Sequence, residues 1–308
     1  MSVKPASEKR RSGLDLAHWL DQRFPYLLIA PALIILLVVL AYPLGYSLWL
    51  SVHEWTLQEF RKAIPFVGLD NYARLLSNAD FWRSVRTTGL LTIGALTSEL
   101  ILGMVLALLL HTITHASRFF RSVVLLPMMV TNVVIGLVFR MMFNFDAGVL
   151  NWFLGVLGMN PSMWVSAVNT ALPSLILVDV WNTTSFVTLI LLAGLQSLPE
   201  EPLEAAKIDG ATRIQLFRHI VLPLLRPAIL VAIVWRFIDL VRIFDVVYSL
   251  TGGGPAAATE VISIYAYRNG FQRFDLGYAS AMSWLMIVVM LGVAFILFRA
   301  INRTEQIY

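Results

Sequence analysis

One apolar stretch near residue 240 carries side chains with the types and spacing of a solute-binding face. Its members stand at i, i+4, i+7 and i+10, and they are Trp235, Asp239, Arg242 and Asp245. One helix would hold all four near one face. Carboxylates and a guanidinium exchange hydrogen bonds with hydroxyl groups, and an indole ring stacks on the C–H face of a sugar. A structural interpretation stays equally open, in which these charges and Arg236 neutralise one another or contact a partner protein.

Two further apolar stretches contribute polar and aromatic candidates. The first lies between Trp181 and Phe186, and the second lies between Tyr278 and Trp284. Small hydroxyl groups also serve as packing contacts between helices in lipid, so these residues have a structural alternative as well. The sequence predicts a solute path at the following positions: Trp181, Asn182, Thr184, Tyr278, Ser283 and Trp284.

Ionisable residues within apolar stretches are costly in a bilayer and mark functional positions. Glu99 and Asp179 are two more of them. A membrane-embedded enzyme that uses Glu99 or Asp239 as acid or base is an alternative from another functional class. A proton relay through Glu99 and Asp179 lacks a chain of His or Lys across the bilayer. The chain has no cysteine, which excludes thiolate metal sites, and we expect neither a metal site nor a catalytic residue.

The elements that carry these residues are predicted to be membrane-spanning helices. Of the 308 residues, 58% are hydrophobic and 14% are charged, whereas a soluble domain has about a quarter charged residues. The apolar residues also gather in runs that match the roughly 20 residues needed to cross hydrocarbon. The sequence therefore predicts an all-α integral membrane protein with six transmembrane helices, at about 26–51, 87–110, 122–143, 171–195, 225–248 and 277–298.

The distribution of basic residues predicts the orientation in the membrane. Lys and Arg precede the first run, follow the last run and surround the polar segment 199–224, whereas 144–170 contains none. The positive-inside rule places both termini and this segment in the cytoplasm, although the loop at 52–86 carries basic residues against the rule. The net charge of +4 thus reflects topology. We expect no nucleic-acid partner, because no basic and aromatic array forms a separate domain.

Three parts follow from these patterns. Residues 1–25 form a cytoplasmic segment, 26–300 form one transmembrane domain that contains the segment 199–224, and 301–308 form a short cytoplasmic tail. The first apolar run is longer than the core of a cleavable signal peptide, so we expect it to be retained as a span. The chain is predicted to be a multi-pass protein of the cytoplasmic (inner) membrane, in contact with lipid.

The segment 199–224 is polar and helix-forming, and it is interrupted at its centre. Pro199 suits a first turn, where acidic residues follow it, and Gly210 ends the first helix. Thr212 and Gln215 have the spacing of a capping box, which starts a second helix. An amphipathic helix lying on the bilayer is the alternative, but the central glycine and the second cap oppose one continuous helix.

The pattern E-A-A, then three residues to a Gly, then about nine to I-x-L-P, resembles the cytoplasmic coupling motif of permease subunits of ATP-binding cassette (ABC) importers. The motif is specific, because length, order and position between spans all agree. The resemblance implies contact with an ATPase subunit at the following positions: Glu204, Ala205, Ala206, Asp209, Gly210, Ala211, Leu222 and Pro223.

Other stretches resemble the maltose-type branch of these permeases. Gly68, Asn71 and Tyr72, followed by Phe81 and Trp82, match a "GxxNY … FW" pattern before the second span. The run Leu-Thr-Gly-Gly-Gly-Pro that ends at residue 255 resembles the first of the two permeases in carbohydrate importers. The second class usually ends in Gly-Ala-Val-Lys-Gly, whereas this sequence ends at residue 308 without it, which favours the first class.

The resemblance implies a permease subunit of an ATP-driven, binding-protein-dependent importer of a sugar or related solute. It implies a second permease, two ATPase subunits and an extracytoplasmic solute-binding protein as partners. The chain has no G-x-x-x-x-G-K-[ST] motif, so ATP and Mg are expected in the ATPase subunits and no cofactor is expected here. A same-family importer of a polyol, a glycerophosphodiester or an anionic sugar is the alternative. Arg236 or Arg242 in the path would favour an anionic solute.

Overall fold

The structure, a computed structural model, describes residues 26, 28–56, 64–113 and 117–305. The predicted cytoplasmic segment 1–25 and the last part of the predicted tail, 306–308, lie outside the described residues. Within the described ranges the chain is helical, with two isolated β-bridges and no strand, which confirms the all-α class. In chain order the helices are α1 (Leu28–Ser51), α2 (Asp70–Ser77), α3 (Ala79–Thr112), α4 (Ser117–Leu125), α5 (Asn132–Met142), α6 (Val149–Val156), α7 (Val168–Gln196), α8 (Glu200–Ile208), α9 (Arg213–Leu224), α10 (Arg226–Val241), α11 (Asp245–Leu250), α12 (Ile262–Tyr267) and α13 (Leu276–Glu305).

Four of these helices are long and apolar enough to cross a bilayer, namely α1, α3, α7 and α13. They correspond to the first, second, fourth and sixth predicted runs. Helices α9 and α10 meet at a bend of 63° and would together supply a fifth span. The count of six spans stays a prediction.

The third predicted run, 122–143, is not one helix. It consists of α4 and α5, joined by a 3₁₀ turn over Pro127–Met129 and by extended backbone at Val130 and Thr131. Proline has no N–H to continue the helical ladder, and its ring crowds the preceding turn, so α4 stops at Leu125. The prediction of a continuous third helix is therefore wrong.

The fifth predicted run, 225–248, is also broken. Helix α10 ends at Val241, and α11 restarts at Asp245. The Ser263 hydroxyl donates to the carbonyl oxygen of Ile243 within the break, so this backbone group has a partner outside the helix. Irregular backbone is tolerated at membrane depth where it is buried in protein or faces a cavity, and where its polar groups have hydrogen-bond partners.

Helices α3 and α7 pack against each other along much of their length and form the centre of the fold. A Cβ on Gly103 would lie 2.8 Å from a methyl carbon of Val187, so the missing side chain permits this close approach. One apolar cluster surrounds Leu91 and Leu175, and a second surrounds Leu191 and Leu225. Glu99 and Asp179 lie between these two clusters along α3 and α7.

The loop before α3 is tied to the end of α1 by the residues of the "GxxNY" pattern. Asn71 Nδ2 donates to the carbonyl oxygens of Ser51 and His53 at 3.0 and 2.9 Å. The Tyr72 hydroxyl donates to Ser51 Oγ at 2.9 Å. Phe81 is buried, in the cluster with α13. Most of this pattern therefore holds the loop in place.

Candidate solute cavity and coupling segment

A buried guanidinium joins the three central helices. Arg236 on α10 donates from Nε and Nη2 to both carboxylate oxygens of Glu99, at 2.7 and 2.8 Å. Its Nη2 also donates to Asp179 Oδ2 at 2.7 Å, and its Nη1 donates to Asp239 Oδ2 at 2.5 Å. We call these four residues the charged cluster. Arg236, Glu99 and Asp179 are almost fully buried, so α3, α7 and α10 are joined by ion pairs shielded from water.

The charged cluster has more carboxylates than cations. The bidentate geometry of Arg236 on Glu99 suits the planar guanidinium fork. The Thr183 hydroxyl donates to Glu99 Oε1 at 2.7 Å and adds a partner from α7. In a buried ion pair, removal of one partner leaves an uncompensated charge, so these contacts are costly to break.

Asp239 belongs to the charged cluster and also lines a cavity of about 240 Å³. Its side chain is 37% exposed, whereas that of Arg236 is 2% exposed. The cavity lies beside the interruption between α10 and α11. Arg242 also lines it, with Nη2 3.6 Å from Asp239 Oδ1. We call this space the solute cavity. Its polar lining consists of Asn132, Asp179, Thr183, Asp239, Arg242 and Asp245.

We call the segment 199–224 the coupling segment. It contains two helices separated by Gly210, whose backbone is in the left-handed region. Gly210 has φ +78°, a conformation that side chains other than glycine seldom adopt. Its N–H donates to the carbonyl oxygen of Lys207 at 3.1 Å, and the N–H of Ala211 donates to that of Ala206 at 3.0 Å. These two bonds form a Schellman motif, which ends α8.

The second helix begins at once. The backbone N–H of Thr212 donates to Gln215 Oε1 at 2.8 Å, and the N–H of Gln215 donates to the Thr212 hydroxyl at 3.4 Å. The predicted capping box is thereby confirmed. A single interfacial helix over this segment is wrong, because α8 and α9 are separate helices.

The coupling segment is anchored on one side and exposed on the other. Phe217, Val221 and Leu225 pack in the cluster that includes the ends of α3 and α7. Ile208 and Ile214, which flank the turn, are 86% and 78% exposed. Sequence reasoning missed these two, although apolar side chains beside a glycine break in a polar helix are a readable signal. Of the predicted contact residues, Glu204, Ala205, Asp209 and Gly210 are exposed, and Ala206, Ala211, Leu222 and Pro223 are half-buried.

Residues 99–306, which include the charged cluster and the coupling segment, match the family described as binding-protein-dependent transport system inner membrane component. The chain belongs to this family. It is 41% identical over 264 residues to a probable ABC transporter permease of Sinorhizobium fredii, covering 86% of this chain and 85% of the relative. It is 39% identical over 272 residues to the trehalose/maltose transport system permease MalF of Thermococcus litoralis, covering 88% and 91%.

The fold agrees with this membership. A crystal structure of a bacterial ABC transporter involved in the import of the acidic polysaccharide alginate superposes with a TM-score of 0.80. The two chains are 24% identical, and the alignment covers 94% of this chain and 99% of the other. The protein is thus a permease subunit of an ABC importer and a multi-pass inner membrane protein. The family is a transport component, so the alternative of a membrane-embedded enzyme is rejected.

The permease brings together part of the solute path predicted from its sequence. Asp239, Arg242 and Asp245 all line the solute cavity. They do so because the helix is interrupted between α10 and α11. The prediction that one continuous helix holds them on a single face is therefore wrong. Sequence reasoning missed the cavity position of Asn132, whereas Thr183 lies within the stretch between Trp181 and Phe186 that it singled out.

The other predicted path residues of the permease lie outside this cavity. Asn182 is buried and donates to Asn132 Oδ1 at 3.0 Å, and Thr184 donates to a backbone carbonyl within α7. The Tyr278 hydroxyl is buried 3.1 Å from that of Tyr265. Trp181 packs against Phe139, and Trp235 packs against Phe186. The Ser283 hydroxyl donates to the carbonyl oxygen of Ala279. The Nε1 atom of Trp284 is buried and has no hydrogen-bond partner among the described residues. Their contact with solute stays a prediction.

Proposed function

We propose that this permease carries a sugar or a closely related polyhydroxylated solute, and that the solute passes through the solute cavity. The observation that supports this most directly is the lining, which offers carboxylates, an amide, a hydroxyl and a guanidinium at one break in a helix. Hydroxyl groups need both acceptors and donors, and this set supplies both. The relative named as a trehalose/maltose permease agrees with the same solute class.

The charges of the cavity favour a neutral solute over an anion. Asp179, Asp239 and Asp245 face it, against the guanidinium of Arg242. Four of the five N–H donors of Arg236 are used by Glu99, Asp179 and Asp239, and its side chain is 2% exposed, so Arg236 is poorly placed to bind an anionic group. The anionic-sugar alternative therefore depends on Arg242, whose side chain is 61% exposed.

The proposed assembly contains this chain as the first of two permeases, with two ATPase subunits and an extracytoplasmic solute-binding protein. ATP and Mg bind to the ATPase subunits, and both termini and the coupling segment of this chain lie in the cytoplasm. Closure of the ATPase dimer moves the coupling segments, and the paired permeases alternate between inward-facing and outward-facing states. Such switching follows when ATP and the loaded binding protein bind the two states with different free energies. The exposed Ile208 and Ile214 support an ATPase contact at the coupling segment.

We expect the purified permease alone to hydrolyse no ATP. Its sequence has no phosphate-binding loop of the P-loop type, and the coupling segment is a docking element in this proposal. Phosphate release is measured for the chain alone and after addition of its ATPase subunits. Hydrolysis by the isolated chain would contradict the assignment of ATP to separate subunits.

Asp239→Ala is expected to lower solute uptake about tenfold or more, because it removes acceptors for solute hydroxyls in the cavity. Arg236 keeps Glu99 and Asp179 as partners in this variant, so the importer complex should still assemble. Uptake into proteoliposomes and recovery of the complex are measured together. Asp80→Ala is the matched control, since Asp80 pairs with Arg83 on an exposed surface at 3.1 Å.

A double variant separates solute contact from an ion pair between Asp239 and Arg242. The shorter pair between Asp239 and Arg236 is tested instead by recovery of the complex, because its loss would weaken the charged cluster. If Asp239 serves only to neutralise Arg242, then Asp239→Ala with Arg242→Gln should restore uptake. We expect instead that both single variants and the double variant stay impaired with an intact complex. Full recovery in the double variant would refute a direct role of Asp239 in solute binding.

A further inference from the structure

Four aromatic rings form a continuous row beyond the break in the fifth predicted span. The Phe244 ring lies parallel to that of Tyr248, with centroids 5.2 Å apart, and also stands 5.2 Å from Tyr267. Tyr267 stacks on Phe271 at 5.4 Å. We call Phe244, Tyr248, Tyr267 and Phe271 the aromatic row. In the orientation proposed above, it lies on the extracytoplasmic side of the solute cavity.

Local helical spacing builds the aromatic row. Phe244 and Tyr248 are four residues apart at the start of α11, and Tyr267 and Phe271 are four apart across the end of α12 and the π-helical turn that follows. The hydrogen bond from Ser263 to the Ile243 carbonyl holds α12 against the break. Tyr248 and Phe271 are 47% and 68% exposed, so the row is exposed at both ends, whereas Phe244 packs against the apolar cluster around Leu91 and Leu175.

The aromatic row borders a concave space of about 470 Å³, within the range of small-molecule sites. Its lining is mostly apolar, with the rings of Phe244, Tyr267 and Phe271, and it includes Ser263, Ser280 and Ser283. The hydroxyls of Ser263 and Ser283 donate to backbone carbonyls, so their oxygens remain as acceptors. Phe244 also lines the solute cavity, so the two spaces adjoin at one residue. Asp239 and Arg242 line the solute cavity on the other side of this shared residue.

We propose that the aromatic row is a second solute subsite, which stacks on the pyranose ring of a sugar before the sugar reaches the solute cavity. This inference rests on the proposed function, because it names the solute class and adds an outer position on its path. The C–H face of a pyranose is apolar and its edge carries hydroxyls, which matches aromatic faces beside serine hydroxyls. A helix of the second permease is the competing occupant. The junction with the polar solute cavity at Phe244, together with Ser280 in the lining, favours the sugar.

The test replaces rings by aliphatic side chains in the complete importer. Maltose or trehalose is supplied bound to the solute-binding protein of this importer. Tyr267→Leu and Phe271→Leu should each lower uptake of the sugar about threefold to tenfold. Tyr267→Phe and Phe271→Trp keep a ring and should lose less uptake than the corresponding Leu variants. Phe295→Leu is the matched control, because Phe295 is an exposed aromatic residue of α13 outside the row and its cavity.

The outcomes are distinguishable. If the unmodified importer takes up neither disaccharide, the stacking subsite proposed for these sugars is overturned, whereas uptake of another sugar would still satisfy the proposed function. If it takes up a disaccharide and the Leu variants match Phe295→Leu, the aromatic row is not a solute subsite, and the proposed function stands. If the Leu variants no longer co-purify with the second permease, the row is an interface between permeases, which also overturns the subsite. Loss of uptake with an intact complex, together with rescue by the ring-retaining variants, supports it.

Discussion

Arg236→Met is expected to prevent recovery of a folded permease. The change leaves Glu99 and Asp179 as unpaired carboxylates at sites that exclude water, and it removes the ion pairs that join α3, α7 and α10. Breaking a buried ion pair in this way costs about 3–5 kcal/mol. The measurement is the amount and the thermal stability of the detergent-solubilised importer complex, followed by size-exclusion chromatography.

Arg242→Met is the matched control for this prediction. Arg242 lies six residues further along the chain, is 61% exposed, and has one carboxylate at 3.6 Å. Exposed ion pairs contribute about 1 kcal/mol or less, so the complex should be recovered normally. A triple change, Arg236→Met with Glu99→Gln and Asp179→Asn, removes the uncompensated charges and should restore part of the recovery. Equal recovery of Arg236→Met and the unmodified chain would contradict a stabilising role for the charged cluster.

The coupling segment could be predicted from the sequence in detail, because its structure depends on local contacts. The Schellman motif at Gly210 and the capping box of Thr212 and Gln215 each link residues no more than five positions apart. Residue type and spacing then suffice to predict where α8 ends and α9 begins. The positions of Ile208 and Ile214 on either side of the glycine turn can be seen in the sequence, but the degree of their exposure depends on tertiary packing, which spacing does not report.

The charged cluster could be predicted only in part. Glu99, Asp179, Arg236 and Asp239 stand out as ionisable residues in apolar runs, but the pairs span up to 137 residues of sequence. Arg236 and Arg242 look equivalent in one apolar run, and only the packing of α10 on α3 and α7 buries the first and exposes the second. The break at Ile243 was missed because no proline or glycine marks it, and its backbone partner Ser263 comes from α12.

The link between the coupling segment and the solute cavity is short. Helix α9 follows the glycine turn, bends by 63° into α10, and α10 carries Arg236 and Asp239. Phe217 and Val221 hold α9 against the ends of α3 and α7. Two consecutive helices thus join the turn at Gly210 to the charged cluster, so we expect uptake to depend on the geometry of this turn.

Gly210→Val is expected to abolish uptake while the permease still inserts into the membrane. A Cβ at Gly210 meets no atom within 4 Å, so crowding is not the obstacle. The obstacle is φ +78°, which a β-branched residue adopts at a cost of about 1–3 kcal/mol. The turn should relax, the Schellman motif should be lost, and Ile208 and Ile214 should no longer be presented together to the ATPase. Uptake, membrane content and co-purification of the ATPase are measured for each variant.

Two further variants assign the effect to the coupling turn. Gly158→Val is the matched control, because Gly158 has φ +71° and open space around it, on the loop after α6. It introduces similar backbone strain far from the coupling segment along the chain and should leave ATPase co-purification unchanged. Gly210→Asn should retain part of the uptake, since asparagine tolerates the left-handed region better than valine. Normal uptake with Gly210→Val, or equal loss of ATPase binding with Gly158→Val, would refute the role of this turn in docking.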